Sequence, residues 1–156
     1  MCLHKDFFCT LAPPKLQDDM KTVRVVAAVI ADGNRYLCMQ RHRSNHTYDS
    51  ERWEFPGGKV EEGESDEQAL RREIHEEMDW DIHVDRHLCS VMHDYPDFTI
   101  DLEAYLCSPG QGHFTMLEHL DYQWLTPQQM SGLSWTAADS KIAEQLLRIS
   151  KQQTGL

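Results

Sequence analysis

No run of apolar residues in this chain approaches the ~20 needed to cross a bilayer. Its opening, MCLHKDFFCTLAPPKLQDDM, lacks a long hydrophobic segment with a small-residue cleavage site, so no cleaved leader is expected. Cysteine is scarce and odd in number: Cys2, Cys9, Cys38, Cys89 and Cys107, with no C-x-x-C pair. That argues against a zinc ribbon or a disulfide frame. It predicts reduced thiols acting as small hydrophobes in a cytoplasmic compartment. The histidines show no zinc spacing, and there is no internal repeat or low-complexity tract. Basic charge is also short, with 15 Lys and Arg against 26 Asp and Glu, a net charge of -11. Such a field repels nucleic acid polymers and anionic membranes and argues against both as partners. A small anionic substrate would need metal ions between it and the protein.

What is there suits one folded domain. At 156 residues and 40% apolar content, the chain can bury a core. Pro13-Pro14 and the polar residues after them read as a linker, so residues 1–19 are expected to be an extension and 20–156 the domain, with Met20 a second candidate start. VRVVAAVI (23–30) reads as a buried strand, ADGN (31–34) as a hairpin turn and RYLCMQR (35–41) as its partner. Residues 42–52 form a polar loop, and WEF is a short apolar piece stopped by PGG. Ser65 caps a helix from Asp66 to Met78, with Gln68 completing a capping box. Strand patterns follow at 81–95, 98–107 and 122–125, and an amphipathic helix closes the chain at 137–150. Strands outnumber helices, which predicts an α/β layered domain with a mixed sheet between helices.

The acidity is concentrated. GGKVEEGESDEQALRREIHEEMDW (57–80) holds nine acids and three bases, -6 of the -11. On the predicted helix Leu70, Ile74 and Met78 form one stripe, and Glu73, Glu76 and Glu77 share an adjacent arc. Like charges at i, i+3 and i+4 repel. Two readings are open from charge alone: a solvated acidic face, or oxygen ligands for Mg²⁺ or Mn²⁺.

The spacing G58-x5-E64-x7-R72-E73-I74-x-E76-E77-x-D79-W80 resembles the Nudix box. One position departs, Asp79 standing where the family has glycine; Asp tolerates the left-handed conformation that ends such a helix better than most residues. WEFPGGK (53–59), the strand ending in Gln40-Arg41, YPD (95–97) and E118-x5-W124 extend the likeness to the MutT-type branch, over roughly residues 22–148.

The resemblance implies a Nudix α/β/α sandwich with a central mixed sheet. It implies Mg²⁺-dependent hydrolysis of nucleoside triphosphates to monophosphate and pyrophosphate, with 8-oxo-dGTP or CTP-type substrates. By position, Glu73, Glu76 and Glu77 are the expected metal ligands, with the Gly58 carbonyl a fourth. Arg72 orients the glutamates and Glu64 supports the loop. Glu118 falls where relatives carry a further glutamate on a mobile loop, to bind metal or act as base; its plainer reading is a solvated loop acid. Arg41 is the expected phosphate contact, or else a solvent-facing strand end. Phe55 and Tyr95 match positions near the base, although an aromatic such as Tyr95 at a strand end also suits the core. Asp139 stands where MutT reads 8-oxoguanine with an asparagine, and its alternative role is helix N-cap. Phe98 replaces an expected arginine. Two other outcomes are open: a Nudix enzyme for ADP-ribose or a dinucleoside polyphosphate, and a non-catalytic nucleotide-binding module. Oligomeric state is not encoded in any of these features.

Overall fold

The computed structural model describes residues 21–46 and 49–154. The expected extension 1–19, Met20, Cys2 and Cys9 lie outside the described residues. A mixed sheet is built from β1 (Lys21–Asp32), β2 (Arg35–Gln40), β3 (Trp53–Glu54), β4 (Gly57–Lys59), β5 (His83–Asp94), β6 (Phe98–Ser108) and β7 (Asp121–Leu125). Helix α1 (Asp66–Met78) lies between β4 and β5, the single turn α2 (Pro127–Met130) follows β7, and α3 (Ala137–Thr154) closes the chain. The strand order is β3-β2-β1-β6-β5, with β4 paired to β1 and β7 to β2. β1 runs parallel to β6 from Lys21↔Phe98 to Ile30↔Cys107, and the other ladders are antiparallel.

The uninterrupted apolar run in β1 is explained by cover on both faces. Val26, Ala28 and Ile30 join the core under α1, whereas Ala27 and Val29 join the core under α3. Period-2 geometry sends alternate side chains to opposite faces, so a strand sandwiched between helices reads as continuously hydrophobic. From α1 come Ala69, Leu70, Ile74 and Met78, all fully buried. From α3 come Ala138, Ile142, Ala143 and Leu146. Cys38 and Cys107 are buried small hydrophobes, as expected.

α1 begins and ends where the sequence places it. Ser65 Oγ accepts from the Gln68 amide and the Gln68 side chain accepts from the Ser65 amide. At the other end Asp79 is left-handed, φ 48 and ψ 50, and its N–H donates to the His75 carbonyl. The strand β4 and the turn α2 were not foreseen. The β4 segment, GGK, carries too little side chain to show a period; it is held because its backbone pairs with Val25, Val26 and Ala27 of β1.

Candidate active site

Arg72 organises the acidic stretch. Its Nε and Nη2 donate to both oxygens of Glu64 at 2.6 and 2.9 Å, a bidentate pair. Nη2 also donates to the Lys59 carbonyl, while Nη1 donates to Glu73 Oε1 at 3.0 Å and Glu76 Oε1 at 3.2 Å. Glu64 further accepts from the Glu61 amide and locks the loop before α1. Hydrogen bonds from Arg72 hold the Glu64 carboxyl well below the usual range.

Glu73, Glu77 and Glu118 line one cavity of about 320 Å³, together with Glu54, His119, Arg41 and Gly57. Glu77 is buried at 4% exposure, and its Oε2 has no hydrogen-bond partner. Desolvation, followed by the charges of Glu54, Glu73 and Glu118, pushes its pKa up to about 9. Glu73 is raised too, chiefly by burial, with Arg72 opposing. Glu76 is not brought to this cavity. It is half exposed and turned to Arg72, the cation within its reach. Gly58 lies on β4 with the Glu73 carboxyl directly over its Cα, so that a Cβ there would collide with it.

Among the described residues, no three carboxylate, imidazole or thiol groups stand close enough to hold an ion as placed. The donor chemistry nonetheless fits a hard divalent cation: carboxylate oxygens, one of them buried without a partner. The loop carrying Glu118 is tied to its neighbours by backbone hydrogen bonds. Thr115 N–H donates to the Met78 carbonyl, Leu117 N–H to that of Glu77, and Leu120 N–H to that of Gln40. The exposed Glu118 side chain has no hydrogen bond or ion pair among the described residues.

A second cavity, of about 260 Å³, shares Arg41, Glu54 and Gly57 with the first. Its walls include Tyr95, Phe98, Ile100, Leu102 and Asp139. Tyr95 and Phe98 stack at 5.2 Å and 29°. Arg41 spans the two cavities, donating to Glu54 at 3.0 Å and Asp49 at 3.2 Å. Phe55 is 3% exposed and lies in the core, its ring stacked on Trp135 at 5.0 Å, because Trp53 and Phe55 face the α3 side. It contributes its backbone N–H instead, donating to Asp139 Oδ1 at 3.0 Å. Asp139 is not an N-cap either: α3 starts at Ala137, and the Asp139 side chain accepts from Thr136 Oγ1 at 2.8 Å. Desolvation and the charge of Glu54 push its pKa up to about 7.

A model of the NUDIX domain matches residues 20–146. The chain belongs to the Nudix family. Similar proteins include an 8-oxo-dGTP diphosphatase of Proteus vulgaris, 39% identical over 98 residues, 62% of this chain and 86% of that one. A CTP pyrophosphohydrolase of Escherichia coli is 31% identical over 130 residues, 83% of this chain and 95% of that one. The solution structure of the E. coli ORF135 protein aligns at TM-score 0.75 and 30% identity, covering 85% of this chain and 94% of the other. This Nudix domain is therefore a hydrolase of a divalent-metal-dependent family, and its fold is the expected α/β sandwich.

Two residues of this Nudix site were not singled out in the sequence: Glu54 and His119. The signal for Glu54 was period 2. With Trp53 and Phe55 inward, the residue between them faces the other way, toward α1. His119 follows Glu118 directly, and nothing in its sequence neighbourhood distinguishes it from the other histidines.

Proposed function

We propose that this chain is a Mg²⁺-dependent nucleoside triphosphate pyrophosphohydrolase that releases a monophosphate and pyrophosphate, working in the cytoplasm on oxidised or CTP-type nucleotides. The observation that carries this is the shared wall. The carboxylate cavity and the aromatic-walled cavity meet at Arg41, Glu54 and Gly57. A polyphosphate in the first would place its base in the second. The relatives' names, 8-oxo-dGTP diphosphatase and CTP pyrophosphohydrolase, support the same substrate class.

Glu73 and Glu77 would hold the cation, joined by Glu76 once it turns from Arg72 and by the Gly58 carbonyl as a fourth ligand; Mn²⁺ has the same oxygen preference. Bound there, the ion offsets phosphate charge and makes water a better nucleophile. Arg72 fixes Glu73 and Glu76, and Glu64 fixes Arg72. Arg41 meets the phosphates at the shared wall. Glu118 takes the proton of the attacking water, because its carboxylate is exposed and uncommitted while Glu73 is tied to Arg72.

In the base cavity Tyr95 stacks on the base and Asp139 reads its edge. Near neutral pH the raised pKa of Asp139 gives both forms. The ionised carboxylate accepts from the exocyclic amine of cytosine. The acid form donates as well as accepts, as an asparagine would for an oxidised guanine.

A panel of 8-oxo-dGTP, CTP, 5-hydroxy-dCTP, the common dNTPs and ADP-ribose, with Mg²⁺ and with products resolved, tests this. Pyrophosphate from at least one triphosphate is expected. Turnover of ADP-ribose alone would reject the substrate class, and binding without turnover would make the chain a non-catalytic module.

A further inference from the structure

Glu54 is the one carboxylate of the metal cavity that belongs to neither α1 nor the 113–120 loop. It projects from β3, between two core residues, into the wall shared by both cavities. Both its oxygens are engaged: Oε1 accepts from Arg41 Nη1 at 3.0 Å, and Oε2 pairs with His119 Nε2 at 3.0 Å. The same Nε2 lies 3.7 Å from Glu77 Oε1, too far for a strong hydrogen bond. Glu77 Oε2 is left without a partner. The His119 side chain is only 5% exposed, and its backbone is anchored through Leu117 and Leu120. Nδ1 is buried without a partner, and the carboxylate oxygens beside Nε2 assign the proton to Nε2.

One ring thus sorts two carboxylates. We propose that His119 is a positioning residue that withholds Glu54 from the metal and leaves Glu77 free to bind it. The inference rests on the proposed metal-dependent hydrolysis. Without the imidazole donor, Glu54 Oε2 would turn into the same cavity as Glu73 and Glu77 as an extra anionic ligand. An added carboxylate oxygen strengthens cation binding while moving the cation off its productive place.

The test compares His119→Phe, which removes the donor, with His119→Gln, whose amide reaches the Nε2 position. Mn²⁺ binding to the nucleotide-free protein is measured by calorimetry, and kcat and KM in the presence of Mg²⁺. For His119→Phe, kcat should fall at least about tenfold with Mn²⁺ binding unchanged or tighter, and His119→Gln should stay within about threefold of the parent on both. Added to Glu54→Gln, His119→Phe should cost less than about twofold further, because the oxygen it releases is already neutral. Nitrogen NMR of the metal-free protein should show His119 protonated at Nε2. Weaker Mn²⁺ binding in His119→Phe, equal losses in the Phe and Gln variants, additive losses in the double variant, or a proton at Nδ1 would each overturn the proposal. Should His119→Phe not fold, as judged by circular dichroism, His119→Asn replaces it, since its amide mimics Nδ1 and does not reach Glu54. If the parent hydrolyses no triphosphate, the functional reading fails, and the binding and NMR results still decide the role of His119.

Discussion

Single residues carry opposing demands here. Glu77 is a carboxylate in a place that disfavours its charge, and its pKa rises from an ordinary 4.5 to about 9. A group that holds its proton more tightly when folded takes up a proton on folding. Stability of the metal-free protein therefore falls as pH rises from about 4.5 through about 9. Glu77→Gln has no such titration. Melting temperatures in EDTA between pH 5 and 9 should fall more steeply for the parent than for the variant; parallel curves would contradict this. Asp139 carries a prediction about substrate choice. Its acid form is lost as pH rises through about 7. From pH 6 to 8 the ratio of kcat/KM for 8-oxo-dGTP to that for CTP should drop in the parent and stay flat in Asp139→Asn. Asp79 pays for its left-handed backbone. Replacing it with the glycine usual in the family should raise stability by about 0.5–1 kcal/mol, read from urea unfolding.

At the scale of elements, α1 shows which effect wins. Burying Leu70, Ile74 and Met78 stabilises by roughly 2 kcal/mol each. Repulsion among the helix glutamates costs only a few tenths per pair. The helix therefore forms with its acids crowded, and the Ser65–Gln68 box fixes its start. Ser65→Ala should cost about 1 kcal/mol with little effect on kcat. Gly58→Ala tests the contact between β4 and α1. Its methyl would displace the Glu73 carboxyl, so activity should fall at least about tenfold in a protein that still folds. The helix was legible because its stripe, cap and stop agree. β4 and α2 were not, because three and four residues hold too little pattern and their partners lie far along the chain. The site divides in the same way. Glu73 and Glu77 were readable from helix spacing, and Glu64 and Arg72 from the likeness to the Nudix box. That Glu76 would turn to Arg72, that Phe55 would stack on Trp135, and that His119 would pair with Glu54 beside Glu77 depended on tertiary placement.

For the molecule as a whole, a net charge of -11 and a polyphosphate substrate are compatible only through a cation. Mg²⁺ that binds the folded state alone should raise the melting temperature in proportion to the logarithm of its concentration above Kd. The most direct measurement of the central claim is phosphorus NMR of one triphosphate incubated with parent protein and with Glu77→Gln, with and without Mg²⁺. The account predicts monophosphate and pyrophosphate from the parent with Mg²⁺, none in EDTA, and at least about a hundredfold loss in Glu77→Gln. Release of inorganic phosphate, or an undiminished rate in Glu77→Gln, would contradict it.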